Sequence, residues 1–433
     1  MLQLRHLEIV RFRTVQPHTR LNFNHGPNIL LGKNGTGKTT LLKLIAAAVS
    51  VSFYEFQEEE FELSWLMSLG EHELHCTASH RKEAPISGQA AIPRELASLT
   101  ANAWHARLEM VIWTKGEQSG RVVWRDGQLE TERGGMVEQY STQSSFLMQT
   151  GIDFIPAVVL GDLMRRKVGD LLINPDLFTF ASTVPRLDES LVWFHHEIVR
   201  AAKLTISQLN LAPAVMRDFP QRTGIPSTFF GHIFNQKLVG PPEYLEATSD
   251  EQAMLKSACD ALGFAHCALR IEFERSEKGS RHLQGVESTL YYGNARFLFT
   301  KRDGTRLSHT HLSFGQLRLF AFLYYAELYK GVIIADELTN GLHHAMIELC
   351  LMTIRGRQSF LATQNPLLLD HIGFHSAEEA QRTFILCDLI EQAHGQEVMQ
   401  WRNMSAVEAE EFFGDYEVGI QHVNDILRTR GLW

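Results

Sequence analysis

The sequence contains few cysteines and no long apolar run. Its 433 residues include five cysteines, and none of them forms a C-x-x-C pair. We therefore expect unreactive thiols in a reduced, cytoplasmic protein. No apolar stretch reaches the length of a membrane span, and no signal peptide precedes the strand-like residues after Met1. A membrane role is not expected.

Positive charge is also scarce. The chain has 41 Lys and Arg residues against 50 Asp and Glu residues, a formal net charge of −9. A protein that coats nucleic acid through charge alone is basic, so such contact here would need a local patch or a partner. The chain shows neither an internal repeat nor sustained heptads, which argues against a long coiled coil. Its length favours two or three lobes.

A phosphate-binding motif is present near the start of the chain. Residues 32–39 read G-K-N-G-T-G-K-T and match the pattern G-x-x-x-x-G-K-[ST]. The glycines let successive N–H groups point into one anion-sized hollow, between a strand at 27–31 and a helix that begins at Thr39. The predicted nucleotide-binding residues are Lys33, Asn34, Gly35, Thr36, Gly37, Lys38, Thr39 and Thr40. Lys38 is expected to reach the β- and γ-phosphates, and the Thr39 hydroxyl is expected to hold Mg²⁺.

Two adjacent carboxylates form a second element of the predicted site. Residues 332–335 are apolar throughout, as in a parallel strand buried on both faces, and Asp336 and Glu337 follow directly. Ligands of open α/β sheets bind at the carboxyl ends of the strands. We predict that Asp336 serves the Mg²⁺ and that Glu337 is the general base for an attacking water.

The order of four motifs carries a family resemblance. Residues 312–316 (L-S-F-G-Q) resemble the signature motif of ATP-binding-cassette (ABC) ATPases, and the pair at 336–337 resembles their Walker B acids. Residues 338–343 resemble their D-loop, and residues 360–366 resemble their switch segment. About 275 residues separate the P-loop from the signature, more than in a transporter cassette. This layout resembles the head ATPases of the chromosome-maintenance, recombination-repair and overcoming-lysogenization-defect (OLD-like) clade.

The resemblance implies a composite site that binds ATP and Mg²⁺ and hydrolyses ATP. In that superfamily Ser313, Gly315 and Gln316 of one chain would contact the γ-phosphate held by Lys38 of a second chain, in a head-to-tail dimer or higher oligomer. Gln364 is the predicted switch residue, where such proteins usually carry histidine. Glutamine donates a hydrogen bond but cannot become cationic, so hydrolysis is expected to be slower or partner-dependent.

Two functions remain open from the sequence. One is a head ATPase that switches a partner or a nucleic-acid complex in DNA repair or anti-phage defence. The other is an ATP-gated assembly or sensor module with weak or no catalysis. A transporter subunit is disfavoured by the long insertion, and no acidic nuclease cluster follows Pro366. The expected partners are a second copy and a protein effector encoded nearby, whereas nucleic acid stays an open possibility.

The predicted fold is α/β, a P-loop NTPase head of ABC type with a mixed central sheet, an antiparallel β lobe and a helical insertion. The predicted domains are an ATPase core (1–50 and 295–390), a β lobe with a loop (51–160), a mainly helical insertion (161–294) and a C-terminal helical tail (391–433). The lobe follows from alternating apolar residues at 61–67 and 108–112. The loop is predicted at 130–150, and residues 249–252 are predicted to form a capping box ahead of a helix.

Several residues allow two interpretations. Arg13 either lies near the nucleotide or is a solvated strand-end arginine. His72, His75, Cys76 and His80 crowd one segment, but neighbouring residues of a strand point to opposite faces, which disfavours a metal site. Residues 165–167 (R-R-K) either face phosphate or form a solvated turn. Gln143 and Gln149 are both candidates for the Q-loop glutamine, and the C-terminal tail either packs on the core or binds a partner.

Overall fold

The structure, a computed structural model, describes residues 2–51, 53, 56, 58–82, 104–125, 128–133, 136–141, 202–205, 243–278, 287–328, 331–392 and 395–433. The chain forms two compact units. The first comprises Met1–Val184, Gly331–Glu337 and Gly356–Trp433, and the second comprises Pro185–Lys330 and Leu338–Arg355.

The strands are β1 (Leu2–Phe12), β2 (Thr19–Asn22), β3 (Pro27–Leu31), β4 (Phe61–Leu69), β5 (His72–Lys82), β6 (Trp104–Thr114), β7 (Glu117–Arg125), β8 (Gln128–Arg133), β9 (Met136–Ser141), β10 (Ala202–Thr205), β11 (Glu243–Thr248), β12 (His266–Lys278), β13 (Glu287–Thr300), β14 (Arg306–Ser308), β15 (Ile333–Asp336), β16 (Ser359–Ala362), β17 (Phe384–Glu391) and β18 (Glu397–Asn403). The helices are α1 (Lys38–Ser50), α2 (Ala253–Leu262), α3 (Phe314–Leu328), α4 (His344–Ile354), α5 (Pro366–Leu369), α6 (Ala377–Thr383), α7 (Ala406–Val418) and α8 (Val423–Thr429).

A mixed five-stranded sheet forms the centre of the first unit. Its order is β15-β16-β3-β17-β18, with parallel pairs throughout except for the antiparallel β17–β18 pair. The apolar run Ile29–Leu31 in β3 is fully buried, as expected for a strand covered on both faces. Because parallel strands end at the same edge, the P-loop after β3 and the acids at the end of β15 come together. The predicted α/β fold of a P-loop NTPase with a mixed sheet is confirmed.

An antiparallel sheet of eight strands also belongs to this unit. Its order is β2-β1-β4-β5-β6-β7-β8-β9. Burial alternates residue by residue along β4, so Phe61, Leu63, Trp65 and Met67 enter the core, and the predicted β lobe is confirmed. Strands β1 and β2, which the sequence interpretation assigned to the ATPase core, pair within this sheet.

Strands β8 and β9 correct the loop prediction for residues 130–150. Within the described residues, Gln128–Arg133 pairs with Met136–Ser141 in antiparallel register. The segment is polar, and its strands pair through backbone hydrogen bonds. Such pairing does not require an alternation of apolar residues, so the sequence carries no strand pattern here. A low apolar content therefore misled the prediction at this end of the sheet.

Among the described residues, the second unit contains an antiparallel sheet, and strands β10 and β11 of this sheet lie within the segment 161–294 that was predicted to be mainly helical. The sheet has the order β10-β13-β12-β11, with β14 paired to β13. Strand β11 lies in residues that were expected to be helical. In its sequence, Tyr244, Glu246 and Thr248 alternate with Leu245 and Ala247, and this period of two is typical of a strand. The predicted hairpin between β13 and β14 is confirmed.

Helix α2 is present as predicted, but its predicted cap is wrong. Met254, Leu255 and Ala258 are buried, as the spacing requires. The N-cap residue is Gln252, which makes no side-chain capping bond. The Ser249 hydroxyl instead accepts a hydrogen bond from the Cys267 N–H at 3.3 Å, so it is used by the neighbouring strand.

The C-terminal segment begins with a strand rather than a helix. Strand β18 precedes α7 and α8, in a tail that was expected to be helical from residue 391. Helix α7 begins with a capping box between Ser405 and Glu408. Phe412 is fully buried and lies 5.3 Å from Phe374, centroid to centroid, whereas Ile420 is 83% exposed. Part of the predicted apolar face thus packs on the first unit.

Several predicted features lie outside the described residues. They are Gln143, Gln149 and the basic residues 165–167. Among the described residues, none of the helices combines the length and hydrophobicity needed to span a bilayer.

Candidate functional site: a P-loop and a separate signature motif

The P-loop joins the buried end of β3 to the start of α1. Gly37 precedes the helix at φ 86°, in the left-handed region that favours glycine. A Cβ added at Gly37 would lie 2.5 Å from Met399 Sδ and 2.8 Å from Trp401 Cζ2. A Cβ at Gly32 would overlap the carbonyl oxygen of Cys387. Both glycines are therefore required by close neighbours in the C-terminal hairpin β17–β18.

Hydrogen bonds within the loop hold the P-loop lysine. Lys38 Nζ donates to the carbonyl oxygens of Gly32 at 2.7 Å and Lys33 at 2.9 Å, and the residue is 7% exposed. The Thr36 hydroxyl donates to the same Lys33 carbonyl at 2.9 Å. Two backbone carbonyl oxygens of the loop thus fix the position of the Lys38 ammonium group.

The remaining predicted P-loop residues line the exposed side of the loop or the first turn of α1. Lys33, Asn34 and Gly35 are exposed, and Thr40 lies half-buried within the helix. Backbone N–H groups at the start of a helix have no partner inside the helix and favour anions. The predicted nucleotide-binding residues therefore form one continuous segment of the structure, which consists of the loop and the first turn of α1.

The Walker B aspartate meets the P-loop threonine. Thr39 Oγ1 donates a hydrogen bond to Asp336 Oδ2 at 2.5 Å, although the two residues are far apart in sequence. A hydroxyl and a carboxylate side by side are the hard oxygen donors that Mg²⁺ prefers. The donor chemistry of this pair fits Mg²⁺.

Glu337 lies directly after β15 in an unusual backbone conformation. Its φ is 49°, and its N–H donates to the Ala362 carbonyl of β16 at 2.9 Å. Non-glycine residues with positive φ are uncommon and are enriched at functional sites. Burial, and then the adjacent charge of Asp336, raise the pKa of Glu337 above its ordinary value, while Lys38 and Gln364 oppose this rise. A raised pKa makes the carboxylate a stronger base.

Gln364 bridges the Walker B glutamate and the P-loop. Its Nε2 donates a hydrogen bond to Asn34 Oδ1, and Gln364 lies close enough to Glu337 to lower the pKa of that carboxyl group. Gln364 follows β16, and Asn365 caps the next short helix by accepting from the Leu367 N–H at 3.0 Å. The predicted switch residue therefore lies beside the predicted general base.

The signature motif forms a helix N-terminus in the second unit. The Ser313 hydroxyl accepts from the Gln316 N–H at 3.4 Å, and Gln316 Oε1 accepts from the Ser313 N–H at 3.0 Å. This reciprocal pair is a capping box at the start of α3. Since the hydroxyl accepts this bond, it keeps its own proton for donation to another group.

The signature packs tightly against the predicted D-loop. A Cβ at Gly315 would overlap the carbonyl oxygen of Gly341, and a Cβ at Gly341 would lie 2.6 Å from Phe314 Cδ1. Arg318 is 8% exposed and donates from Nε to the Leu338 carbonyl at 3.0 Å. The backbone of the D-loop therefore fixes the position of the signature. Phe314 remains 63% exposed at the motif's third residue.

Sequence reasoning missed Trp401 and Met399, which support the P-loop from β18. Trp401 Nε1 donates to the Thr36 carbonyl at 2.9 Å. No motif marks such a residue, and β18 itself was not predicted. The one available signal was the alternation of Val398 and Gln400 with these two side chains.

The ambiguous polar residues have local partners. Arg13 forms an ion pair with Glu59 at 2.5 Å. His75 is exposed and Cys76 is buried, on opposite faces of β5. His80 Nδ1 lies 2.8 Å from the Glu59 carbonyl, and His72 Nδ1 lies 3.0 Å from Thr114 Oγ1. Within the described ranges, no group of three or more His, Cys, Asp or Glu side chains is placed to hold a metal ion.

Comparison with known proteins gives one family match. An AAA domain family model matches residues 6–60, which include β1, the P-loop and α1. Among curated proteins, none matches the sequence. The match covers the P-loop segment and agrees with the predicted P-loop ATPase core.

The solved structures that resemble this chain include SMC heads and a recombination mediator. An SMC head bound to the C-terminal winged-helix domain of ScpA is 10% identical, with a TM-score of 0.37, covering 93% of this chain and 98% of that chain. The SMC head domain from Thermotoga maritima is 13% identical, with a TM-score of 0.34 and coverage of 93% and 99%. The recombination mediator RecF-ATPrS of the RecFOR pathway is 11% identical, with a TM-score of 0.30 and coverage of 93% and 98%. TM-scores below 0.5 define no residue-by-residue correspondence.

Proposed function

We propose that this chain is a head ATPase that binds ATP with Mg²⁺, dimerises around the nucleotide and hydrolyses it. One observation carries the proposal: two segments that are distant in sequence, Asp336–Glu337 and Gln364, lie against the P-loop. Thr39 bonds to Asp336 at 2.5 Å, and Gln364 contacts both Glu337 and Asn34. A loop that merely connects a strand to a helix needs none of these contacts.

The P-loop would bind the phosphates, and Lys38 would pair with their charge. Thr39 and Asp336 would hold Mg²⁺, which supplies positive charge to the phosphate oxygens. Glu337 would accept a proton from water as the water oxygen bonds to the γ-phosphorus. The bond from that phosphorus to the bridging oxygen breaks, and ADP leaves with inorganic phosphate. Gln364 would orient Glu337 and the water through its amide.

The dimer would complete the site. Ser313, Gly315 and Gln316 would come from a second copy and contact the γ-phosphate through a hydroxyl, backbone N–H groups and the N-terminus of α3. Support comes from the capping box, which positions Ser313 while leaving its proton to donate. ATP would then join two chains, and hydrolysis would release them. A head-to-tail arrangement or a larger ring satisfies this requirement equally.

The wider role is proposed from the family resemblance alone. We propose that the dimer switches a protein effector or a nucleic-acid complex in DNA repair or anti-phage defence, within the cytoplasm. The ScpA-bound SMC head gives an example of a head ATPase with a protein partner. The proposed domain division keeps residues 1–50 and 295–390 as the ATPase core. A pull-down with the wild-type chain, with and without ATP, would identify such an effector.

A second candidate function is an ATP-gated assembly or sensor module with little turnover. Gln364 favours it, because a glutamine held between Glu337 and Asn34 cannot supply the positive charge of a protonated histidine. Replacement of Glu337 by Gln separates the two candidates. Loss of both hydrolysis and biological function, with a persistent ATP-bound dimer, supports the ATPase. Retained biological function without hydrolysis supports the sensor.

The dimer itself is tested by the dependence of turnover on protein concentration. ATP turnover per chain should rise with concentration and level off once the chains have paired. Light scattering on the same samples, with and without ATP, provides the matching measure of mass. Turnover that stays constant in samples that remain monomeric would contradict the proposal.

A further inference from the structure

Trp401 lies directly beneath the P-loop. The residue belongs to β18, which pairs with β17, which in turn pairs with the P-loop strand β3. Its side chain is 2% exposed, and its indole Nε1 donates to the Thr36 carbonyl at 2.9 Å. Thr36 and Trp401 are distant in sequence, so the tertiary fold alone creates this bond.

The indole ring also limits the loop at the next residue. A Cβ at Gly37 would lie 2.8 Å from Trp401 Cζ2. Gly37 is the N-cap residue of α1, and its carbonyl accepts the first helical bond from the Leu41 N–H at 2.9 Å. The ring therefore supports the loop where it turns into the helix.

Other buried tryptophans of the same unit differ from Trp401. The indole nitrogens of Trp65 and Trp124 are buried without a hydrogen-bond partner. Packing of a tryptophan in this unit thus does not require a bond from its N–H group. The bond from Trp401 to a P-loop carbonyl is accordingly a separate feature of this position.

The geometry of the peptide bond gives this contact a consequence. In a planar trans peptide, the C=O and the following N–H point in opposite directions. When the Thr36 carbonyl points at the indole, the Gly37 N–H must point away from β18. Asn34 and Gly35 of the same loop are exposed, so part of the loop faces solvent.

We propose that Trp401 is a positioning residue for nucleotide binding, whose indole N–H orients the Thr36–Gly37 peptide so that the Gly37 N–H faces the phosphates. The inference rests on the proposed nucleotide-binding function and concerns ground-state binding. Because the peptide is oriented before the ligand arrives, ATP and ADP should benefit alike. Chemistry at the γ-phosphate should be little affected.

The test compares Trp401→Phe with Trp65→Phe. Both variants replace a buried indole with a smaller ring, but only the first removes a hydrogen bond. Calorimetric titration with MgATP and MgADP should show affinities about threefold to tenfold weaker for Trp401→Phe, the range expected for one hydrogen bond. Trp65→Phe should bind like the wild type. The turnover at saturating ATP should match the wild type in both variants.

A spectroscopic measurement accompanies the titrations. Nucleotide binding should change the tryptophan fluorescence of the wild type and of Trp65→Phe, and Trp401→Phe should lose most of that change. If Trp401→Phe fails to fold, incorporation of benzothienylalanine at position 401 removes only the N–H group and should weaken binding by the same factor.

Equal affinities for Trp401→Phe and the wild type would overturn the inference while leaving the proposed function intact. Weaker binding in Trp65→Phe by the same factor would also overturn it, because general loss of packing would then explain the effect. A wild-type chain that binds neither nucleotide would remove the proposed function, and the inference with it.

Discussion

Substitution of Gly37 by Ala should disturb the P-loop more than substitution of Gly35. Both glycines have nearly the same φ, 86° and 85°. Around Gly35 an added Cβ meets nothing within 4 Å, whereas at Gly37 it meets Met399 Sδ at 2.5 Å and Trp401 Cζ2 at 2.8 Å. The pair therefore separates backbone strain from steric overlap.

The expected magnitudes follow from these two contributions. Alanine in the left-handed region costs about 1–2 kcal/mol, and this applies to both variants. Overpacking adds about 1–3 kcal/mol at Gly37 alone. If the strained loop leaves its binding conformation, the overpacking cost at Gly37 corresponds to an ATP affinity about fivefold to 150-fold weaker for Gly37→Ala than for Gly35→Ala.

The assay is thermal unfolding of the nucleotide-free protein, followed by ATP titration of the same samples. Nucleotide-free unfolding is compared first, because a methyl at Gly35 also lies on the side of the loop where phosphate would bind. A double variant with Met399→Ala should recover part of the loss in Gly37→Ala and none in Gly35→Ala. Equal losses in the two single variants would refute the reasoning.

Three other substitutions test separate parts of the structure. Phe314→Gly should weaken ATP-dependent dimerisation while leaving ATP binding by monomers unchanged, because this 63% exposed ring lies between Ser313 and Gly315, two residues of the proposed dimer contact. Unchanged dimerisation by light scattering would contradict this. Gln364→His should raise turnover below about pH 6.5 and lose that gain at higher pH, because only the protonated imidazole adds positive charge. A ratio of variant to wild-type turnover that does not change with pH would contradict this prediction. Glu408→Gln should lower the thermal midpoint at pH 7, since Arg402 holds the pKa of Glu408 at about 2, below its ordinary 4.5. The stabilisation by ionised Glu408 is present above pH 4.5 and is lost as the pH falls through about 2. The thermal midpoint of Glu408→Gln should therefore lack this dependence on acid pH, whereas that of Glu410→Gln should keep it.

The proximity of the P-loop and the two acids could be predicted from the sequence because both motifs depend on local spacing. The P-loop needs glycines at fixed intervals, and the Walker B acids follow an apolar strand. The structure places Thr39 against Asp336 as that chemistry requires. Period-two alternation likewise predicted β4 correctly, because one face of that strand is buried.

Features that depend on distant partners could not be predicted in this way. Trp401 supports Thr36 across most of the chain, and no local pattern encodes such a contact. The capping box expected near Ser249 failed because that hydroxyl binds the Cys267 N–H of a neighbouring strand. The capping box of Ser313 and Gln316 is a local feature, but it was not predicted because these two residues were interpreted only as part of the signature motif.

The most direct test of the composite site mixes two inactive variants. Lys38→Ala removes the phosphate-binding half, and Ser313→Arg blocks the signature half of the same chain. If each active site needs one half from each of two chains, an equal mixture should recover about a quarter of wild-type turnover, since half of the random dimers would hold one intact site. Each variant alone should remain inactive. A mixture that stays as inactive as its components, while both variants still form ATP-dependent dimers with the wild type, would contradict the account.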